Sequence, residues 1–490
     1  MPLTASAIEL AARLRAREIS SEELVELHIE RVRAVNPALN AMVQDRFDEA
    51  RAEARTADAR LRGGEADLPP LLGVPCTIKE CFALRGMPNT SGLVARKGIV
   101  STDDATAVRR LRDAGAIPLG VTNVSELCMW MESDNRVYGR TGSAYDPGRT
   151  AGGSSGGEGA LVGAGASPFG LGSDVGGSIR MPAFFNGVFG HKPTGGTVPG
   201  SGQYPVATGP ALRYLTTGPI CRSADDLMPL LRILAGPDGI DSGCEARELG
   251  EPADVSLREL VVHDVRETVA VPVSSELADA QELAARALSA RGARVVRTKL
   301  PALREGIEIW SAMMEAAGGP TYAELLGNGV AVDPLRELGR LALGRSPYTL
   351  ASIGLAALEN LPKKMPVRRE RLVAAGERLR RELVDVLGDR GVMLFAPHAR
   401  VTTRHGMALV PPLRWGYTAV FNVLELPVTQ VPLGLSARGL PLGVQVVGTH
   451  GADHVTIAVA IALSRALGGW TPPARFPLPR PKTAIPAEPA

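Results

Sequence analysis

"GGSSGGEGALVGAGASPFGLGSDVGGSIRMPAFFNGVFGHKPT", residues 152–194, is unlike the rest of the chain. Residues 152–200 hold 16 of the 55 glycines in 49 of the 490 residues. Its opening, AGGSSGGEG (151–159), has the composition of a flexible linker. Apolar residues are interleaved throughout 160–194, and a low-complexity linker lacks them. Glycine at that density among core residues points to backbone packed on backbone and to turns that a side chain would block.

Outward from this block the chain reads as α/β. Residues 4–62 read as helices, with a capping box at Ser20 and Glu23 ahead of Val25, Ile29 and Val32 on one face. LLGVPCTIKE (71–80) is a short buried strand ending in charge, and AVRRLRDAGAIPLG (107–120) is helix, glycine turn and strand. ELVVHDV and ARVVRTKL are strands around a helix at 274–291, and 302–390 is mainly helical. VMLFAPHA (392–399), PVTQVPLGL (427–435) and PLGVQVVG (441–448) return as strands before a final helix near 452–468. The proline-rich tail 471–490 is irregular. No linker separates these pieces. The expectation is one large domain over 1–490, a twisted mixed sheet covered by helices on both faces. Within it, 1–62 forms N-terminal helices, 63–230 a catalytic core and 302–390 a helical elaboration.

The totals exclude several classes. Net charge is +2 and no block of like charge occurs, so neither nucleic acid nor an anionic membrane surface is a partner. No stretch has the length of a membrane span, and the N-terminus lacks a signal-peptide pattern. The five cysteines (76, 81, 128, 221 and 244) are odd in number and unpaired by motif, so they read as free thiols of a cytoplasmic protein. With seven scattered histidines, no metal site is expected. The oligomeric state stays open, a homodimer included.

Three chemistries compete for the glycine-rich block. A phosphate loop needs a Lys after its glycines, and none is near; G-x-G-x-x-G fails because Pro168 stands where its third glycine belongs. Gly152–Gly156 does fit G-x-S-x-G, which would make Ser154 the nucleophile of a hydrolase elbow served by His405, His450 or His454. The third reading takes Ser178, which follows two glycines in SDVGGSIR, as nucleophile, with the turn's N–H groups facing an oxyanion. Its base is then Lys79, at the end of the apolar strand. Of 54 basic residues 47 are Arg and only seven are Lys, so each Lys asks for a reason. A buried Lys is driven toward its neutral form and can accept a proton, whereas Arg cannot. The competing local reading pairs Lys79 with its neighbour Glu80.

Residues 152–194, with GVPCTIKE upstream, closely resemble the signature of the amidase signature family. The resemblance continues through TNVSELCMWMESDNRVYGRT, TGPICRSADDL (217–227) and residues 424–454, and is weak over 300–390. Within the family the chain is most similar to fatty-acid amide hydrolases of the second type. The resemblance implies a triad of Ser178 as nucleophile, Ser154 as bridging serine after a cis peptide bond, and Lys79 as base. It implies an oxyanion hole of N–H groups from Val175, Gly176, Gly177 and Ser178. Met129 and Trp130 would line the substrate side, and Asp174 and Arg180 would hold the loop as an ion pair. No cofactor is required. The implied reaction is hydrolysis of hydrophobic or aryl acyl amides, with esters, anilides and carbamates as related substrates. Met313, Met314, Trp310 and Tyr322 are candidates for the pocket wall or for ordinary core. The runner-up is the glutaminase subunit of a tRNA-dependent amidotransferase. Those relatives usually carry Gln where this chain has Met181.

Overall fold

Short apolar runs bounded by glycine, proline or charge become the strands of one sheet. The computed structural model describes residues 1–269, 271–359, 366–408 and 416–479. Its strands are β1 (Met42–Asp45), β2 (Pro75–Lys79), β3 (Ile117–Thr122), the hairpin β4 (Asp134–Asn135) and β5 (Gly139–Arg140), β6 (Phe169–Asp174), β7 (Phe189–Lys192), β8 (Thr216–Cys221), β9 (Val261–Val265), β10 (Arg294–Thr298), β11 (Gly391–Phe395), β12 (Val428–Leu435) and β13 (Pro441–Gly448). Eleven of them form the order β1-β3-β2-β6-β8-β7-β12-β13-β11-β9-β10. Neighbours are parallel at β2/β3, β2/β6, β9/β10 and β9/β11 and antiparallel elsewhere, so the sheet is mixed, with helices on both sides.

One N-terminal expectation needs correction. Residues 4–62 are not helices alone, because β1 separates the helices Ser21–Leu39 and Phe47–Gly63. Asn40, at φ 49°, ends the first of these, and Met42 then pairs with Thr122 at the sheet edge. The capping box of Ser20 and Glu23 is formed, and Val25, Ile29 and Val32 are buried.

The site is positioned by β2 and β6. They run parallel, with Thr77 opposite Gly170 and Ile78 opposite Leu171. Both therefore finish at the same edge of the sheet, where open α/β sheets hold their ligands. Lys79 ends β2, and the turn carrying Ser178 begins where β6 ends, at Asp174.

The glycine-rich segment is packed, not mobile. Residues 151–160 are all buried. A Cβ at Gly153 would overlap the backbone of Trp130–Glu132, and one at Gly157 the backbone of Asn123 and Ala41. The helix Gly156–Gly163 thus contains three further glycines in spite of their cost in a helix, because its neighbours lie against its backbone.

The stretch 302–390 is helical, as Gly306–Ala316, Tyr322–Leu326, Pro334–Ala342, Leu350–Leu358 and Pro366–Leu387. Residues 360–365 of that stretch and 480–490 of the tail lie outside the described residues; 471–479 form neither helix nor strand. Among the described residues no helix is long and apolar enough to cross a membrane. All five cysteines are free and buried.

Candidate active site

Lys79 is fully buried at the last position of β2. Its Nζ donates to Ser154 Oγ at 2.7 Å and to Ser173 Oγ at 2.9 Å. Glu80 is not its partner. Successive side chains of a strand point to opposite faces, and the Glu80 carboxylate turns away to accept from Thr90 N, Thr90 Oγ1, Ser91 N and Tyr138 Oη. Burial, opposed by these bonds, pushes that carboxyl up to about 7. The two residues thus serve different surroundings, one a hydroxyl cluster and the other a loop anchor.

Ser154 follows a cis Gly153–Ser154 peptide bond and is buried. Its carbonyl accepts from Ser133 Oγ at 3.0 Å, and the same hydroxyl accepts from Gly156 N at 2.9 Å. Ser133 therefore staples both sides of the serine turn. Ser155 N donates to Ser178 O at 3.3 Å, which ties this turn to the next.

The turn Asp174–Ser178 is held from every side. Asp174 and Arg180 form an ion pair at 2.9 Å with neither side chain exposed. Burial opposes ionisation there, but the Arg180 charge and the hydrogen bonds from Arg180 and Ile179 N hold the Asp174 carboxyl well below the usual carboxylate range. Arg180 donates further to Thr418 O, Gln445 Oε1 and Asn422 Oδ1. Two carbonyls of the turn are also fixed. Trp310 Nε1 donates to Val175 O at 2.8 Å, and Thr418 Oγ1 donates to Gly176 O at 2.6 Å.

The N–H groups divide unequally. Gly177 N donates to Asp174 Oδ1 at 2.7 Å. Among the described residues, the N–H groups of Val175, Gly176 and Ser178 meet no protein acceptor. Of the four donors expected from sequence, the structure leaves three open and engages the one on Gly177.

Ser178 is half-buried and lines a cavity together with Ser154 and Ser173. Met129 is on the wall; Trp130 is not, its carbonyl lying against Gly153. Met314 and Tyr322 from the helical stretch also line the cavity. Met313 instead packs toward Gly376, and Trp310 lies over Gly176. The remaining wall is largely apolar, with Leu127, Pro205, Ala207 and Leu325, and among the described residues no Asp, Glu, Lys, Arg or His lines it. Sequence reasoning missed Ser173, although it opens the SDVGGSIR motif at the end of the strand parallel to the Lys strand. It also missed Thr418 and Asn422, which carry no local signal.

The family model for amidases, described as "Amidase", matches residues 23–457. The chain belongs to the amidase signature family. Its reaction as an amidase is hydrolysis of the C–N bond of an amide. Among curated relatives it is 45% identical to fatty-acid amide hydrolase 2-A of Danio rerio, over 96% of this chain and 90% of that protein. It is also 45% identical to fatty-acid amide hydrolase 2 of Homo sapiens, over 97% and 91%. Among solved structures, a 6-aminohexanoate cyclic dimer hydrolase complexed with substrate superposes with a TM-score of 0.81 at 26% identity, covering 97% of this amidase and 100% of that chain.

Proposed function

We propose that this amidase cleaves uncharged, apolar acyl or aryl amides through an acyl-enzyme on Ser178, with Ser154 as proton relay and Lys79 as base. The observation that carries this reading is Lys79, buried beside the cavity with its Nζ in hydrogen-bond contact with the hydroxyls of Ser154 and Ser173. In its neutral amine form, Lys79 takes a proton from Ser154, which takes one from Ser178. The Ser178 oxygen attacks the carbonyl carbon, and the open N–H groups of Val175, Gly176 and Ser178 receive the oxyanion. The proton returns through Ser154 to the leaving nitrogen, the C–N bond breaks, and an ester remains on Ser178. Water, activated along the same relay, hydrolyses that ester. Asp174 and Arg180 act by holding the turn. Esters, anilides and carbamates present the same carbonyl and are substrates of the same machinery.

The wall of the cavity favours this over the amidotransferase reading. Free glutamine carries an ammonium and a carboxylate, and among the described residues no Asp, Glu, Lys, Arg or His lines the cavity to meet either. Met181, in the helix Arg180–Phe185 that follows the Ser178 turn, points the same way. The similarity to fatty-acid amide hydrolases supports an apolar acyl group. Five unpaired thiols support a reducing, cytoplasmic location.

The test is hydrolysis of a chromogenic acyl anilide by the purified chain alone, with mass spectrometry of the protein after an activated carbamate. The expected results are turnover without a partner protein, an adduct on Ser178, and loss of both in Ser178→Ala. Full activity in Ser178→Ala overturns the nucleophile assignment.

A further inference from the structure

One polar side chain on the cavity wall is outside this machinery. Gln203 is only 5% exposed and lines the same cavity as Ser178. Its Oε1 is buried without a hydrogen-bond partner, and no other described residue bonds its amide. Its backbone is fixed against the end of the Lys79 strand. Gln203 pairs with Phe82 in an isolated bridge, Tyr204 N donates to Cys81 O at 2.9 Å, and Ala83 N donates to Gly202 O at 2.9 Å. Ser91, which also bears on Glu80, donates its hydroxyl to Tyr204 O at 2.6 Å. The backbone that carries the amide is therefore anchored beside the end of the Lys79 strand.

A primary amide is both donor and acceptor. Any solvent that satisfies it in the open cavity leaves when an acyl chain enters. Gln203 must then bond the substrate or stay unpaired, and an unpaired buried polar group carries the full penalty of its desolvation. Sites built around such a group discriminate against ligands that lack the matching one. A purely apolar acyl chain would suit Leu127, Leu325 and Met314 but would strand Gln203.

We propose that Gln203 is the substrate-selecting polar contact of this cavity. The preferred substrates are then apolar amides carrying one additional hydrogen-bonding group, a hydroxyl or a second amide, where the bound chain passes Gln203. This rests on the cavity being the substrate site of the amidase reaction. It narrows that substrate class to one the apolar wall alone would not select.

The experiment uses the full chain and a panel of acyl anilides that differ only by one hydroxyl, moved carbon by carbon along the acyl chain. The wild type should prefer one hydroxylated member over the unsubstituted anilide by roughly tenfold in kcat/KM, the scale of one hydrogen bond formed against one left unmade. Gln203→Leu should bring that ratio close to one. Gln203→Met, which keeps an unbranched chain, should do the same and serves where the Leu variant does not fold. The proposal is overturned if no position of the hydroxyl improves the wild-type rate, or if the preference survives in both variants. Turnover of the unsubstituted anilide by wild type, and its loss in Ser178→Ala, tests the amidase reading independently of Gln203.

Discussion

Trp310 donates its indole N–H to the carbonyl of Val175 across 2.8 Å, so the helix Gly306–Ala316 grips the turn that carries Ser178. A trans peptide sets its N–H opposite its C=O. This one bond therefore aims the open N–H of Gly176. Trp310→Phe keeps a ring over Gly176 and removes only the donor. We expect kcat for an acyl anilide to fall about tenfold with KM nearly unchanged, because the contact it supports is made in the transition state. A rise in KM alone would place Trp310 in substrate binding.

Lys79→Arg separates a proton acceptor from a fixed charge. Arginine keeps the positive charge but is not deprotonated in proteins. General-base groups contribute roughly 10²–10⁴-fold. Lys79→Arg should therefore lose kcat/KM on that scale, as far as Lys79→Ala does, at every pH between about 6 and 9. Retention of the rate by Arg would show that charge suffices and would remove the base role.

The residues that stood out along the chain are those with local signals. Strands β2, β3 and β6 follow from apolar runs bounded by glycine or charge, and Lys79 stands out in a chain that writes Arg for most of its positive charges. The dense glycines between apolar residues already indicate close backbone packing, and Gly153 and Gly157 show it. What fixes the Ser178 turn is different. Trp310, Thr418 and Asn422 reach it from far downstream and mostly bond backbone groups. A backbone acceptor leaves no pattern in the sequence, so Trp310 reads as an apolar pocket residue although its N–H is what the turn uses. Nor does the composition of SDVGGSIR say which N–H groups stay open. That is decided by the Asp174 side chain, which takes Gly177 N.

Glu158 predicts a pH dependence of stability. It is fully buried under the Lys79 strand, accepting from Thr77 Oγ1 at 2.5 Å and Thr122 Oγ1 at 2.8 Å. Burial, against these bonds and the Lys79 charge, raises its carboxyl from 4.5 to about 8. The folded chain thus keeps a proton that the unfolded chain releases. The contribution to stability is full below 4.5 and is lost as pH rises through about 8. Glu158→Gln keeps the shape and does not titrate. The difference in Tm, wild type minus variant, should shrink between about pH 5 and about pH 8.5. A difference that stays constant across that window contradicts the shift.

Cys128 is the one cysteine of the five on the cavity wall. Burial opposes its ionisation, yet a hydrogen bond with Cys81, the Lys79 charge and hydrogen bonds with Ser91 and Ser154 draw its thiol down, while that of Cys81 goes up. A thiol of lowered pKa that is reachable through a cavity is the reactive kind. N-ethylmaleimide at neutral pH should therefore label Cys128 alone in the native chain and inactivate it by crowding Ser154. All five should label after unfolding, and Cys128→Ala should escape inactivation. Peptide mass spectrometry reads the site, and native labelling elsewhere, or nowhere, goes against this assignment.

The two glycines before Ser178 should differ sharply in tolerance. Gly177 lies at φ 125°, and Thr418 occupies the space a Cβ would need. Gly176 has no such φ, and among the described residues its Cβ would come nearest to the Trp310 ring, at 3.5 Å, an ordinary contact. Gly176→Ala should fold with a Tm near that of the wild type. Gly177→Ala forces a residue into a sparsely populated conformation, at about 1–3 kcal/mol, and displaces the hydroxyl that holds Gly176 O. We expect a lower Tm and a loss of kcat of at least about 100-fold, the scale of one oxyanion donor. Adding Thr418→Ala removes the closest atom, the hydroxyl, but leaves the Thr418 Cβ 2.7 Å from the new methyl, so only a small part of the Tm should return. Activity should not return, because the hydroxyl on Gly176 O is then absent and the φ constraint remains. Equal effects of alanine at 176 and 177 would mean that space near the substrate, and not the conformation of the turn, is what these glycines supply.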